Sequence, residues 1–246
     1  MRLIQLTDIH IAKENEHPYD VDVRENFLKL LDAIADETFD ALVLTGDLCL
    51  DTPSESVYKW IRSQLEKNLP ASVLHAIPGN HDDPHMLANH FNLNHFMKEG
   101  ELYYQASVSG EMVILLDTAK GYSSEEQKNW LDQTISSSKN DMHLVFMHHP
   151  PCDCQLPHMD RNYSLKDKDE YMKIFQSYPG KQFRVFSGHY HTDRTVYDKN
   201  VAVHLTPSSY VQIDDRYDKF MPEHYRPGYR IIDLTEGILL TRIKYI

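Results

Sequence analysis

Short apolar runs alternate with amphipathic stretches along most of the chain. The runs are only a few residues long and are rich in β-branched side chains, which is the pattern of strands buried on both faces of a sheet. They predict nine strands, at Leu3–Leu6, Ala41–Leu44, Ser72–Ala76, Met112–Leu116, His143–Met147, Phe183–Phe186, Val201–Leu205, Tyr229–Leu234 and Ile238–Ile243.

Helical patterns lie between these runs. Val57, Ile61 and Leu65 recur four residues apart, so they share one face of a helix. Ser124 is followed three residues later by Gln127, which is the sequence of a capping box at a helix start. The predicted helices are Val21–Glu37, Ser54–Lys67, Pro84–Phe96, Ser124–Ser136 and Lys168–Ser177.

The order of these elements predicts an α/β fold. Strand–helix alternation in the first two-thirds indicates parallel βαβ units, whereas the strand-rich part from residue 183 indicates more antiparallel pairing. The sequence contains no repeat and no low-complexity linker, so residues 1–246 are expected to form one domain. We therefore predict a four-layer α-β-β-α sandwich, in which two mixed β-sheets pack face to face and are flanked by helices.

Composition narrows the expected partners and location. The chain has a formal net charge of −12, and an acidic surface repels nucleic-acid backbones and anionic membranes, so neither is expected as a partner. No apolar run approaches the length of a membrane span, and the N-terminus lacks a signal-peptide pattern. Three cysteines, an odd number, suit a reducing compartment and predict a cytoplasmic location. A metal or redox role for Cys152 and Cys154 is a minor alternative.

Metal-binding residue types directly follow five of the apolar runs. The carboxyl ends of strands line the ligand crevice in open α/β sheets, so these five clusters are expected to converge. In an extended segment, residues i and i+2 point the same way, so each Asp-x-His or His-x-His pair can aim two ligands at one side. The clusters are Asp8-Ile9-His10, Gly46-Asp47, Gly79-Asn80-His81-Asp82, His148-His149-Pro150 and Gly188-His189-Tyr190-His191.

The donor types indicate which metals suit such a site. Carboxylate oxygen, amide oxygen and imidazole nitrogen are present without thiolate, and this mixture suits manganese, iron, zinc or cobalt better than a structural zinc site built from cysteines. The glycines at positions 46, 79 and 188 allow sharp exits from the strands with unusual backbone angles.

The five motifs, in this order, resemble the metallophosphoesterase signature of the calcineurin-like superfamily. The resemblance spans residues 8–191. Two later segments, Pro207-Ser208-Ser209 and Pro227-Gly228-Tyr229-Arg230, together with the compact length, look most like the class III cyclic-nucleotide phosphodiesterase branch. The resemblance implies a metal-dependent phosphoesterase that attacks a small diester, such as a 3',5'-cyclic nucleotide, with a hydroxide held by two metal ions.

The resemblance also implies roles for individual residues. Asp47 would bridge two metals, with iron and manganese favoured. His81 would protonate the leaving alkoxide and Asp82 would orient His81, whereas His149 is left open between substrate contact and no role. The implied ligands are Asp8, His10, Asp47 and His191 for the first metal, and Asp47, Asn80, His148 and His189 for the second.

Other functions remain to be distinguished at this point. A phosphomonoesterase or a nuclease could use the same residues, although the acidic charge argues against a polynucleotide substrate. A non-catalytic interaction scaffold is disfavoured because no ligand position is degraded. The sequence leaves a monomer and a homodimer open.

Overall fold

Two β-sheets form the centre of the computed structural model, which describes residues 1–69 and 73–246. The strands are β1 (Arg2–Leu6), β2 (Ala41–Thr45), β3 (Val73–Ile77), β4 (Met97–Lys98), β5 (Glu101–Leu102), β6 (Tyr104–Val108), β7 (Glu111–Leu116), β8 (Met142–Met147), β9 (Gln182–Ser187), β10 (Arg194–Asp198), β11 (Val201–Leu205), β12 (Gln212–Ile213), β13 (Pro222–His224), β14 (Gly228–Thr235) and β15 (Ile238–Tyr245). The helices are α1 (Val23–Ala35), α2 (Glu55–Asn68), α3 (Pro84–His90), α4 (Glu125–Ser137), α5 (Pro157–Asn162) and α6 (Lys168–Gln176), with 3-10 turns at Pro18–Asp20 and Asn94–Phe96.

Both large sheets are mixed, as predicted. The first has the strand order β15-β14-β1-β2-β3, in which β1, β2 and β3 are parallel and β14 pairs antiparallel with both β1 and β15. The second has the order β10-β11-β9-β8-β7-β6, in which β7, β8, β9 and β11 run parallel and the two edge strands run antiparallel. The antiparallel pairing expected after residue 183 is therefore incomplete, because β9 is parallel to both of its neighbours.

The two faces of strand β7 show the order in which the sheets and helices are layered. Val113 and Leu115 belong to a hydrophobic cluster that also contains β1, β2, α1 and α2 residues, so this face packs on the first sheet. Ile114 and Leu116 belong to a second cluster, which contains residues of α4 and α6. Successive strand residues point to opposite faces, so the second sheet lies between the first sheet and the α4–α6 layer. The predicted α-β-β-α sandwich is confirmed.

Side chains at the helix starts explain where several helices begin. Asp22 accepts a hydrogen bond from the backbone N–H of Glu25 (2.9 Å), which satisfies a free donor in the first turn of α1. Ser124 accepts from the backbone N–H of Gln127 (3.1 Å), as the capping box predicts. The reciprocal half of the box is absent, because the Gln127 amide turns inward and accepts from the Asp117 N–H (2.7 Å).

Six described strands and one helix were not predicted: β4, β5, β12 and β13 belong to two-stranded sheets, β6 and β10 are edge strands, and α5 has only six residues. β6 and β10 were not predicted, since each is an edge strand with polar residues, and β10 is mostly exposed. The helix predicted at Pro84–Phe96 ends at His90, and Asn92 then takes a positive φ of 59° that breaks the helix. The strand predicted at Ser72–Ala76 begins at a residue outside the described ranges, and its described part starts at Val73. Across the described residues, no helix has the length and apolar character that crossing a membrane requires.

Candidate metal centre

The five polar motifs follow the ends of five strands that share one edge of the sandwich. β1, β2 and β3 are parallel neighbours in the first sheet, and β8 and β9 are parallel neighbours in the second. Each of these strands ends one to three residues before its motif's first metal-binding side chain. The carboxyl ends of both sheets therefore bring the motifs together, as the sequence predicts.

The local geometry of the paired motifs differs from the prediction. Asp8, His10, His189 and His191 are not extended, because β1 ends at Leu6 and β9 ends at Ser187. All four take left-handed φ angles of 51°, 44°, 63° and 48°. Such angles are uncommon for residues other than glycine and concentrate at functional sites, where the surrounding structure holds them. The convergence of each pair therefore comes from left-handed turns and not from strand alternation.

Hydrogen bonds between the turn after β1 and the turn after β2 hold the left-handed angles of Asp8 and His10. The N–H of Asp8 donates to the carbonyl of Gly46 (3.0 Å), and the N–H of His10 donates to the carbonyl of Asp47 (3.0 Å). Asp47 itself is left-handed, with a φ of 52°. The β1 and β2 turns therefore form one unit that carries three of the predicted ligands.

The three glycines serve two different purposes. Gly46 has a φ of 94°, and a Cβ there would lie 2.6 Å from His148 Nδ1. Gly79 and Gly188 do not have positive φ, contrary to expectation, but a Cβ at either would overlap a carboxylate, that of Asp47 or of Asp8. Close approach of the backbone to the site requires glycine at both positions.

One group of donors surrounds the space between Asp8, His10 and His191. Nε2 of His191 lies 3.2 Å from Oδ1 of Asp8 and 3.1 Å from Nε2 of His10. Nε2 of His10 is also 3.7 Å from Oδ2 of Asp47. Two imidazole nitrogens and two carboxylates that face one another at these distances form a donor set that suits a divalent cation.

A second group of donors lies on the other side of Asp47. Nε2 of His148 is 3.3 Å from Oδ2 of Asp47 and 3.2 Å from the Asn80 side-chain oxygen. The His189 ring lies beside the His148 ring, with centroids 5.0 Å apart. Oδ2 of Asp47 therefore faces both groups of donors, which is the position that a bridging carboxylate requires.

Backbone carbonyls hold the other nitrogen of each imidazole. Nδ1 of His10, His148 and His191 lies 3.3, 2.8 and 2.8 Å from the carbonyls of Leu50, Thr45 and Val211. His189 is turned the other way, with Nε2 2.9 Å from the Tyr163 carbonyl. A carbonyl that accepts from one ring nitrogen leaves the other free for a metal, and this second bond is typical of metal-binding histidines. The residues present therefore fit a pair of cations.

Burial and neighbouring charges shift the pKa values of the donors and so set their protonation at neutral pH. Burial acts to raise the pKa of Asp8, but His191 and His148 outweigh it and lower that pKa to about 2. Burial lowers the pKa of His10 to about 4 and that of His189 to about 3, so both are neutral near pH 7. Burial would also lower the pKa of His148, but the Asp47 carboxylate outweighs it and raises that pKa to about 9. A cation that binds His148 must therefore displace a proton.

His81 lies at the edge of the centre, where it can reach a substrate. Nε2 is 3.8 Å from Oδ2 of Asp47, and about a third of the side chain is exposed. Nδ1 lies 3.2 Å from the carbonyl of Asp51. The backbone N–H of His81 donates to the second oxygen of Asp47 (2.9 Å), which connects the two residues directly.

The role expected for Asp82 requires correction. Its carboxylate accepts hydrogen bonds from the backbone N–H groups of Leu48 (3.2 Å) and Gly79 (3.0 Å) and from the Tyr58 hydroxyl (3.0 Å). Asp51, and not Asp82, provides the contact to the His81 ring. Asp82 is buried, which raises its pKa to about 6, and it ties the β2 turn to the β3 turn.

Two supporting contacts were not identified from the sequence. His149 is buried, with its ring 4.1 Å from the His189 ring and Nδ1 3.0 Å from the Thr118 hydroxyl. The Ser208 hydroxyl donates to the backbone carbonyl of Asp8 (2.7 Å). The Pro207-Ser208-Ser209 motif was the only sequence signal for Ser208, and Thr118 had none.

An open cavity of about 540 Å³ lies above the candidate metal centre. His10, Asp47, Asn80, His81, His189 and His191 form part of its wall. Among the described residues that line the cavity, none is a lysine or an arginine. No lysine or arginine of the described cavity wall therefore supplies positive charge to an anionic substrate.

Comparisons with known proteins agree with this arrangement. The sequence model of the calcineurin-like phosphoesterase family matches residues 1–193. A probable cyclic nucleotide phosphodiesterase of Fibrobacter succinogenes is 31% identical over 246 residues, which cover 100% of this chain and 94% of the relative. The 3',5'-cyclic adenosine monophosphate phosphodiesterase of Haemophilus influenzae is 25% identical over 256 residues, covering 100% of this chain and 90% of the relative. A dimetal phosphatase from Danio rerio has the same fold, with a TM-score of 0.72 at 14% identity, over 98% of this chain and 95% of that one.

Proposed function

Because this chain belongs to the calcineurin-like phosphoesterase family and is a metal-dependent phosphoesterase, we propose that it hydrolyses 3',5'-cyclic nucleotides. Relatives that match nearly the whole chain have that activity in their names. The observation that carries the proposal is the convergence of donors from five strand ends on the shared carboxylate of Asp47, beneath a cavity of about 540 Å³.

We assign the ligands by the two groups of donors. Two cations held there would supply positive charge to a phosphate and would lower the pKa of a water molecule, which is the chemistry that a paired metal site offers. Asp47 would hold both cations, because its Oδ2 lies 3.7 Å from His10 and 3.3 Å from His148. The proposed ligands are Asp8, His10, Asp47 and His191 for one cation, and Asp47, Asn80, His148 and His189 for the other.

His81 is the proposed general acid. Its Nε2 faces the cavity near Asp47, while the carbonyl of Asp51 accepts from Nδ1 and holds the ring plane. In this orientation Nε2 can deliver a proton to the ester oxygen that leaves phosphorus. The hydrogen bond from the His81 backbone N–H to the Asp47 carboxylate keeps His81 beside the proposed ligands.

Charge favours an ester with a single phosphate. The described residues that line the cavity include no lysine or arginine, and the chain as a whole carries a net charge of −12. A polynucleotide needs a basic track along its backbone, whereas one phosphate needs only the two cations. A small diester therefore suits this cavity better than a nucleic acid.

Metal-dependent turnover tests the proposal. The protein, stripped with a chelator and titrated separately with Mn, Fe, Co, Ni and Zn ions, should hydrolyse cyclic AMP and bis-p-nitrophenyl phosphate with at least one of them. Asp47→Asn should lose roughly 100-fold or more in kcat, because one ligand serves both cations. Asp36→Asn, at an exposed helix end, is the matched control and should retain activity. The absence of turnover of cyclic AMP with all five metals would overturn the assignment.

A further inference from the structure

Five aromatic side chains form a continuous arc in the wall of the cavity above the metal centre. Centroids of successive rings are 6.2 Å apart for Tyr210–Tyr19, 5.8 Å for Tyr19–Phe220, 6.2 Å for Phe220–His158 and 5.4 Å for His158–Tyr163. We call these five residues the aromatic arc. All of them line the cavity.

The aromatic arc begins and ends at the proposed metal ligands. The Tyr210 ring centroid is 5.7 Å from that of His10, and the Tyr163 ring centroid is 6.5 Å from that of His189. The backbone carbonyl of Tyr163 also accepts from His189 Nε2, so the residue that carries the last ring bonds directly to a proposed ligand. A molecule held at the metal centre therefore meets aromatic surface as soon as it extends outward.

Three separate parts of the chain contribute to the aromatic arc. Tyr19 comes from the 3-10 turn before α1, His158 and Tyr163 come from α5 and its C-terminal cap, and Tyr210 and Phe220 come from the segment between β11 and β13. Hydrophobic core packing does not account for Tyr19 and Tyr163, because these side chains are 59% and 51% exposed. Large exposed rings that border a cavity are typical of ligand contacts.

The backbone at Tyr19 supports a functional role. Tyr19 and Asp20 take left-handed φ angles of 53° and 59° within the turn. A tyrosine gains little from this conformation, which is unfavourable for a residue other than glycine. The turn nevertheless places the ring against Tyr210 and Phe220 at the cavity rim.

We infer that the aromatic arc binds the nucleobase of the substrate, with Tyr19 and Tyr163 as its stacking surfaces. This rests on the proposed function, since the ester must carry a planar base. A base has two apolar faces and stacks on aromatic side chains such as those that the aromatic arc presents. With the cyclic phosphate at Asp47 and His81, the ribose leads from the metal centre towards these rings.

Two esters separate base recognition from phosphoester chemistry. The first is cyclic AMP, and the second is the 3',5'-cyclic phosphate of methyl riboside, which has no base. In the manganese-loaded enzyme, Tyr19→Ala and Tyr163→Ala should each raise KM for cyclic AMP about 5- to 100-fold, the range expected for one lost base–aromatic stack. KM for the base-free ester should stay within about twofold.

Matched variants show whether the ring itself is responsible. Tyr19→Phe and Tyr163→Phe keep the stacking surface and should retain the KM of the wild-type protein. Tyr197→Ala removes a tyrosine that is 76% exposed on edge strand β10, away from the cavity, and should change neither KM. Thermal unfolding of each variant excludes a general loss of folding.

A direct binding measurement keeps this inference separable from the proposed function. Fluorescence anisotropy of 1,N6-ethenoadenosine, which carries a base but no phosphate, should show binding to the wild-type protein and weaker binding to Tyr19→Ala. If neither ester is hydrolysed but this difference is found, the proposed function fails and the aromatic arc stands. Equal effects on both esters, or unchanged ethenoadenosine binding in both alanine variants, would overturn the aromatic arc as the base site.

Discussion

Left-handed backbone angles at five of the seven proposed ligands are the central feature at the scale of single residues. Asp8, His10, Asp47, His189 and His191 share this conformation, which is unfavourable for residues with a Cβ. Hydrogen bonds between neighbouring turns hold it, as between the Asp8 N–H and the Gly46 carbonyl. The fold thus accepts unfavourable backbone angles that orient the donors towards one point.

Replacing His81 tests the general acid. His81→Ala should reduce kcat for cyclic AMP about 10²- to 10⁴-fold, because a poor alkoxide leaving group needs a proton. The loss for bis-p-nitrophenyl phosphate should be much smaller, since nitrophenolate leaves without one. His85→Ala, an exposed histidine on the neighbouring helix α3, serves as the control. Equal losses on both esters would contradict the acid role.

Asp82 gives a different prediction because it binds backbone and not the His81 ring. Asp82→Asn should lower the free energy of unfolding by about 1–3 kcal/mol, since an amide cannot accept all the hydrogen bonds that the buried carboxylate accepts. Tyr58→Phe, which removes one of those bonds together with the acceptor of the Asp83 N–H, should cost about 1–2 kcal/mol. Denaturant titration measures both, and the pH dependence of kcat should keep its shape. A shifted pH dependence of kcat in Asp82→Asn would contradict this prediction and would indicate that Asp82 orients His81.

The protonation of His148 predicts the pH dependence of metal binding. Its pKa is raised to about 9, so at pH 7 the imidazole is charged, and a cation must displace its proton. Affinity should therefore rise between pH 6 and pH 8, by up to about tenfold per pH unit. His10 and His189, with pKa values lowered to about 4 and about 3, are already neutral and should release no proton. Calorimetry in buffers of different ionisation enthalpy counts the protons released, and a count of zero at pH 7 would contradict this.

At the scale of elements, a buried chain of polar side chains connects β14 to the metal centre. Arg230 on β14 donates to Thr206 (2.8 Å), Thr206 donates to Gln5 on β1 (2.6 Å), and Gln5 donates to Thr45 at the end of β2 (2.9 Å). The carbonyl of Thr45 then lies 2.8 Å from Nδ1 of His148. Strands of the first sheet thereby support a ligand that the second sheet carries.

Arg230 is the residue whose loss should show this connection. Arg230→Met should lower the free energy of unfolding by about 1–3 kcal/mol, because it leaves buried acceptors at Thr206 and Leu205 without their donor. Metal affinity should weaken as well, through the positioning of His148. Arg242→Met removes a surface arginine that bonds Asp233 on the same hairpin and should cost less than about 1 kcal/mol. Equal free energies of unfolding for the two variants, measured by denaturant titration, would contradict a stabilising role for the buried hydrogen-bond chain.

At the scale of the whole molecule, the proposed cations join the two sheets. Asp8, Asp47 and Asn80 follow strands of the first sheet, whereas His148 and His189 follow strands of the second. Ligands that bind only the folded state stabilise it, by about 2.7 kcal/mol when the free ligand is at 100 times its Kd. Metal binding should therefore be visible in the stability of the entire fold.

Removal of metals provides the measurement. Calorimetric unfolding should show a lower Tm in excess chelator than in excess Mn²⁺, with the difference growing with the concentration of Mn²⁺. Asp47→Asn should show little or no such difference, because its shared ligand is missing. A Tm for the wild-type protein that does not respond to Mn²⁺ would contradict a cation pair between the sheets.

Periodicity and residue type alone determined nine of the fifteen described strands, most helices, the layer architecture and the polar motifs that follow five of the strands. These are local properties: an apolar run after which Asp-x-His or Gly-Asn-His-Asp appears can be read without knowing what lies beside it. The single domain, the metal assignments and the cytoplasmic location remain predictions. Edge strands such as β10 escaped notice because an edge has one partner and tolerates polar residues.

Only the tertiary structure decided how the donors are presented and what surrounds them. The left-handed turns at Asp8 and His189, the backbone contacts of Asp82 and the aromatic arc all depend on segments that are distant along the chain. Tyr19, Tyr163 and Phe220 share no sequence motif, since only the folded chain brings them to the same cavity. Short-range pattern carries the identity of each side chain, whereas long-range packing sets its direction and its neighbours.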